Sequence, residues 1–99
     1  MLAVDGDIDA GTVRSFEEVL LPRLSATARL LVVDLSEVGF LGLAGLEVLR
    51  HARLRALSTG SRLRLVVRGH AVPHALDRTG VGAELSCHPT LDAACASAR

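Results

Sequence analysis

The run from Val33 to Leu46 constrains the fold of this chain more than any other segment. A largely apolar stretch of strand length, Leu30 to Leu35 with Asp34 as its one charged residue, leads through a tight turn into a helix that is predicted to start near Leu43. The first turn of that helix has no acidic or hydroxyl side chain, so its backbone N–H groups are available to an anion or to a partner protein. The segment supplies no catalytic side chain of its own.

Strand and helix patterns alternate along the whole sequence. Strands are predicted at Met1 to Val4, Leu30 to Leu35, Arg62 to Val67 and Glu84 to Ser86. Helices are predicted from the N-cap residue Asp9 to about Leu24, from Leu43 to Ser58, from Ala71 to Thr79, and from Thr90 to Ser97. This alternation predicts an α/β fold with a small mixed sheet of about four strands and helices packed mainly on one face.

Local signals refine this prediction. Pro22 should kink or end the first helix, and Gly60 and Gly80 should end the second and third. The Arg62 to Val67 strand alternates charged and aliphatic residues, which is typical of a half-buried strand with one apolar face. Leu30 to Leu35 is expected at the centre of the sheet. The predicted core comprises Val13, Phe16, Leu20, Leu49, Leu63, Leu65 and Leu76.

Length and composition indicate one small domain that covers residues 1–99. The chain has 99 residues, of which 49% are hydrophobic, and it has no apolar run near the roughly 20 residues of a membrane span. The N-terminus carries Asp5, Asp7 and Asp9 and no basic residue before Arg14, unlike a signal peptide. The two cysteines show no zinc-type spacing and are interpreted as reduced thiols. A cytoplasmic location is therefore expected.

Catalytic and metal-binding patterns are weak. No serine lies in a Gly-x-Ser-x-Gly turn, and the chain has no lysine, which excludes a P-loop and Schiff-base chemistry. A metal site that combines Cys87 and His88 with His70 or His74 is disfavoured, because no pair has a recognised ligand spacing. We expect neither an enzyme nor a bound metal or cofactor.

The charges divide along the sequence although the net charge is zero. No acidic residue lies between Glu47 and Asp77. That interval contains Arg50, Arg53, Arg55, Arg62, Arg64 and Arg68. The simpler interpretation is a solvated helix and strand surface. The alternative is a basic surface that attracts an acidic partner, a nucleotide phosphate or an anionic membrane. Nucleic acid is not expected, because the two aromatic residues, Phe16 and Phe40, both lie in apolar contexts and form no stacking platform.

Four motifs, in order, resemble those of the anti-sigma factor antagonist family, the STAS domain. Asp34 to Leu46 is similar to the family's D-L-S-x-V-x-F-L-D-S-S-G-L run, and Gly6 to Asp9 is similar to its G-E-L-D turn. Arg62 to Val67 resembles its third core strand, and Ala71 to Gly80 resembles its P-A-V-x-x-x-L-x-x-x-G helix. The order and spacing of these motifs imply a STAS fold.

The resemblance implies a non-enzymatic regulator that binds an anti-sigma factor of the histidine-kinase-like ATPase type. In the family, this kinase phosphorylates the serine just before the Gly-Leu pair, and the turn that carries the serine is the docking surface. Ala44 occupies the serine position here, and Gly42 and Leu43 replace the aspartate and the preceding serine. The implied partner-binding residues are Asp9, Phe40, Leu41, Gly42, Leu43, Ala44, Gly45 and Leu46. For Asp9, helix capping is a sufficient explanation.

Two further expectations follow from the resemblance. Family members usually open with an additional strand, and without it the edge at Met1 to Val4 is expected to pair with a second copy or with a partner. Other functions stay open: an accessory STAS subunit of a lipid-transport ATPase or a signalling assembly, or a phosphate or nucleotide sensor that uses the basic surface and the helix N-terminus.

Overall fold

The computed structural model describes residues 1–24 and 30–96. Within these ranges, strands and helices alternate as the sequence predicts. The strands are β1 (Leu2–Ile8), β2 (Leu30–Leu41), β3 (Arg62–Val66) and β4 (Ser86–His88). The helices are α1 (Val13–Leu24), α2 (Leu43–Ser58), α3 (Ala71–Thr79) and α4 (Leu91–Ala96), with a single 3-10 turn at Val81–Ala83.

The four described strands form one sheet in the order β1-β2-β3-β4. The α/β class and the number of strands are confirmed, but the expectation of a mixed sheet is wrong, because every neighbouring pair is parallel. A helix lies between each strand and the next, and it returns the chain to the edge where the previous strand began. Strand β2 lies between β1 and β3, so the predicted central position of Leu30 to Leu35 is confirmed.

Three of the four helices cover the same face of the sheet. Buried residues of α1, α2 and α3, such as Leu20, Leu49 and Leu76, share one core with inward residues of the strands. Helix α4 covers the opposite face, where Ala94 packs against Val32 and Val66. The helices therefore lie mainly on one face, as predicted.

The predicted core is largely confirmed. Phe16, Leu20, Leu49, Leu63, Leu65 and Leu76 are buried, whereas Val13 is partly exposed and packs against the edge of the core. The prediction that β3 is half-buried is wrong, because Arg64 and Val66 on its second face are buried as well. The alternation of charged and aliphatic residues gave no indication that α4 covers this second face.

Helix boundaries agree closely with the sequence signals. Helices α2 and α3 have the predicted bounds, and each is followed by a glycine with positive φ: 75° at Gly60 and 76° at Gly80. This left-handed conformation is one that glycine adopts without steric cost. Helix α1 starts at Val13, four residues after the predicted N-cap Asp9, because residues 9–12 form a turn. It continues past Pro22 to Leu24, so the proline does not end it. The predicted last helix is described as Leu91–Ala96, and Ser97 lies outside the described residues.

Strand boundaries differ more from the predictions. Strand β1 extends to Ile8 and β2 to Leu41. The two strands remain paired beyond their predicted ends, over polar residues that are not typical of a buried strand. Their pairing is irregular, with register shifts between Ala3 and Asp5 and between Gly6 and Asp7. Strand β4 lies at Ser86–His88 rather than at Glu84 to Ser86, because the 3-10 turn precedes it.

Leu65 tests this description of the core. Its side chain has 0% exposure, so Leu65→Ala should lower the free energy of unfolding by about 2 to 5 kcal/mol, as lost burial and a residual cavity add together. Leu57→Ala is the matched control, because Leu57 is 59% exposed and its truncation should change stability by less than about 0.5 kcal/mol. Urea denaturation of both variants measures the difference. Equal losses would mean that the assignment of the faces of β3 and α2 is wrong.

Candidate partner-binding site at the start of helix α2

Two chain turns meet where β1 and β2 end. Ile8 is paired with Leu41, and the backbone N–H of Gly42 donates a hydrogen bond of 2.8 Å to the carbonyl oxygen of Ile8. Because the strands are parallel, their carboxyl ends lie at the same edge of the sheet. The turn that leads into α1, with Asp9, is therefore adjacent to the turn that leads into α2, with Gly42 and Leu43.

Gly45 allows α2 to approach the sheet closely. A β-carbon at this position would lie 2.7 Å from Cγ2 of Ile8 and 2.7 Å from Cδ1 of Leu41, closer than carbon atoms pack. Both contacted side chains are buried. The first turn of α2 therefore lies directly on the last residue pair of β1 and β2.

Helix α2 starts without a side-chain cap. Gly42 is the N-cap residue in extended conformation, with φ −83° and ψ 175°, and it forms no side-chain cap hydrogen bond. Its carbonyl oxygen accepts the first helical bond, 3.1 Å from the N–H of Leu46. No acidic residue lies in the first turn, so the positive end of the helix dipole is not offset by a side chain of that turn.

The predicted site residues divide between the core and the surface. Phe40 is 51% exposed and Leu43 is 68% exposed. Leu41, Gly45 and Leu46 are buried, and Gly42 and Ala44 are partly exposed. The structure thus brings the predicted residues together, but only some of them can contact a partner. The apolar sequence context of Phe40 therefore does not bury its side chain.

Asp9 accepts hydrogen bonds in the turn that leads into α1. Its carboxylate accepts hydrogen bonds from the N–H of Gly11 at 2.9 Å and from the N–H of Thr12 at 3.1 Å. The hydroxyl of Thr12 lies 3.2 Å from the same oxygen. These two amides lie before Val13, the first residue of α1, so Asp9 closes the turn that precedes the helix and is not its predicted N-cap residue. These bonds give Asp9 a structural role next to the candidate site.

Sequence reasoning missed the contribution of α3. A shallow groove of about 450 Å³ runs between the first turn of α2 and α3, and its walls include Phe40, Leu43, His74, Ala75 and Arg78. The residues of α3 on this groove are spaced three and four apart, which is one face of a helix. That spacing was visible in the sequence, but only the tertiary arrangement shows that the face lies beside Phe40 and Leu43.

Charged residues also line two other grooves. Asp5, Asp7 and Glu37 line a groove of about 510 Å³ along β1 and α1. Arg53, Arg62 and Arg64 line a groove of about 270 Å³ between α2, β3 and β4. The basic surface is partly neutralised, since Arg50 lies 3.0 Å from Glu84 and 3.6 Å from Glu47. Its groove is separate from the turn at Gly42.

The described residues give no indication of a reactive thiol or a metal site. Burial raises the pKa of the Cys87 thiol, which favours the protonated form over a reactive thiolate. In residues 1–24 and 30–96, no cluster of three or more His, Cys, Asp or Glu side chains has the geometry of a metal site. None of the described helices is long and apolar enough to cross a bilayer.

The fold and this turn define a STAS domain. The STAS domain family model matches residues 1–94, and the chain belongs to that family. It is 33% identical over 91 residues to the anti-sigma-F factor antagonist RsfA of Mycobacterium tuberculosis, a match that covers 90% of this chain and 71% of RsfA.

Solved structures support the same assignment. The crystal structure of an anti-sigma factor antagonist from Mycobacterium paratuberculosis superimposes with a TM-score of 0.87 at 32% identity, over 96% of this chain and 80% of that one. The STAS domain of a SulP transporter from Vibrio cholerae gives a TM-score of 0.73 at 19% identity, over 98% of this chain and 77% of that one. At that identity, the second likeness shows the fold alone.

The close approach at Gly45 predicts a measurable cost. Gly45→Ala should lower the free energy of unfolding by about 1 kcal/mol, because an overpacking cost of about 1 to 3 kcal/mol exceeds the gain of up to about 1 kcal/mol in helix propensity. The melting temperature should fall by about 4 to 8 °C. Gly11→Ala is the control, since its added β-carbon meets only an ordinary contact of 3.4 Å. Calorimetry that finds Gly45→Ala more stable than the wild type would contradict this account.

Proposed function

We propose that this chain is an anti-sigma factor antagonist that binds a kinase-type anti-sigma factor through the turn at the start of α2. The partner would be a histidine-kinase-like ATPase. Binding would sequester the anti-sigma factor and release a sigma factor for transcription. The chain has no catalytic role in this proposal and needs no cofactor.

The observation that carries the proposal is the exposure of Phe40 and Leu43 on either side of Gly42. The two large apolar side chains lie together beside an uncapped helix N-terminus, and grouped exposed apolar surface is typical of an interface. They lie in the segment that resembles the family's docking turn. The similarity to RsfA and to the antagonist from M. paratuberculosis supports the same class of partner.

Ala44 determines the proposed mode of regulation. A methyl side chain offers no oxygen to accept a phosphoryl group, so phosphorylation at this position would not release the partner. The chain would then act constitutively, or its abundance would set its activity. Gly42 and Leu43, which replace the family's aspartate and first serine, likewise supply no phosphate acceptor.

Affinity capture tests the identity of the partner. The tagged chain should retain a kinase-type anti-sigma factor from a lysate of the bacterium that encodes it, and the purified partner should bind in calorimetry. Recovery of a transporter subunit instead would favour the accessory-subunit function. The gene next to the one for this chain provides an independent check, because the two functions predict an ATPase gene and a transporter gene, respectively.

Ala44→Asp tests the docking turn. A carboxylate here should weaken binding of the captured anti-sigma factor at least tenfold, or about 1.4 kcal/mol, through charge and steric conflict. The fold should be nearly unaffected, because a negative charge is favourable near a helix N-terminus. Calorimetry measures the affinity, and thermal unfolding measures the stability.

Two variants control this experiment. Ala44→Ser should bind like the wild type, because it adds no charge and little volume. Ser86→Asp adds the same charge on β4, at the opposite edge of the sheet, and should leave binding unchanged. If Ala44→Asp binds as tightly as the wild type, the turn is not the docking surface.

The β1 edge stays a predicted contact for a second chain. No described strand pairs with the outer side of β1, and an open edge favours pairing. Sedimentation should show association that rises with concentration, and Ala3→Glu, at an exposed position of this edge, should weaken it by repulsion. Ala10→Glu, outside the strand, should not. A wild-type chain that stays monomeric at high concentration would contradict the prediction.

A further inference from the structure

The groove beside the candidate site has one mainly apolar wall and one wall with positive charge. The first turn of α2 and the end of β2 contribute Phe40, Leu43 and Leu46. Helix α3 contributes Ala75 between the larger side chains of His74 and Arg78. The groove is therefore a continuation of the exposed surface at Phe40 and Leu43 and extends it onto a second helix.

Helix α3 has two distinct faces. Val72 and Leu76 are buried against the sheet, whereas His74 and Arg78 are exposed one turn apart on the groove. The short side chain of Ala75 leaves space between these two residues and the apolar residues of α2. Core packing explains the first face, but it requires neither the charge nor the open space of the second.

The charge of the groove limits what can occupy it. None of the residues that line it carries a carboxylate, and Arg78 supplies a permanent positive charge. The two ion pairs in the described part of the chain both belong to Arg50, so Arg78 takes part in neither. A guanidinium beside an apolar surface is complementary to a partner segment that has an apolar side chain next to a carboxylate.

We propose that the groove binds a segment of the anti-sigma factor that inserts an apolar side chain beside Phe40, Leu43 and Ala75 and places a carboxylate against Arg78. This inference rests on the proposed function and extends its docking surface from α2 to α3. The apolar contact supplies the buried centre of the interface. The arginine selects the partner and fixes its orientation.

Charge reversal and groove filling test the two parts of the proposal. Arg78→Glu should weaken binding of the captured anti-sigma factor at least tenfold in calorimetry. Arg78→Gln should weaken it less and should reduce the loss of affinity between about 50 mM and 500 mM salt, because one ion pair is removed. Ala75→Leu should weaken binding at least tenfold by occupying the space for the inserted side chain.

Arg55→Glu is the matched control. Arg55 is an exposed arginine in the last turn of α2, outside the groove, and its reversal changes the net charge by the same amount. It should bind within about twofold of the wild type. Thermal unfolding of all four variants should show that each remains folded, since Arg78 is exposed and Ala75 is only partly buried.

The outcomes separate this inference from the proposed function. If Ala44→Asp weakens binding while Arg78→Glu and Ala75→Leu bind like the wild type, the docking turn stands and the groove proposal is overturned. If Arg55→Glu weakens binding as much as Arg78→Glu, the effect is a general charge effect and the proposal is again overturned. Failure of the wild type to bind any kinase-type anti-sigma factor would overturn both.

Discussion

The contact between the first turn of α2 and the last residue pair of β1 and β2 is the constraint on which the site depends. Gly45 lies against Ile8 and Leu41, and a larger residue would require these side chains or the helix to shift. The hydrogen bond from Gly42 to Ile8 fixes the same junction through the backbone. Because β1 and β2 are parallel, this one junction also places the Asp9 turn beside α2. The geometry of the site thus follows from close packing.

Local signals were enough to predict the part of the site that is continuous in sequence. The bounds of α2 follow from the turn at Gly42 and from Gly60, and those of α3 follow from its short amphipathic run and Gly80. These signals act within a few residues of the boundary, so tertiary packing does not override them. The motif order also predicted the family and the α/β class.

Other features depend on contacts between distant segments and were not predictable in this way. The length of β2 follows from its pairing with β1, and the burial of both faces of β3 follows from α4, which is more than twenty residues away in sequence. Local patterns specify neither the register nor the direction of the strands, so the sheet was expected to be mixed. The exposure of Phe40 and the groove with α3 depend on how two helices meet, and no periodicity within either helix specifies that.

The segment from Phe40 to Leu46 contains both buried and exposed residues. Leu41, Gly45 and Leu46 are buried in the core, so substitutions there would alter the contact between α2 and the sheet. Phe40 and Leu43 are mostly exposed, so the fold does not require them to be large and apolar. Ala44 lies between the two sets and carries no functional group. Phe40 and Leu43 lie together beside the groove with α3, and binding of a partner there would explain their size and apolar character.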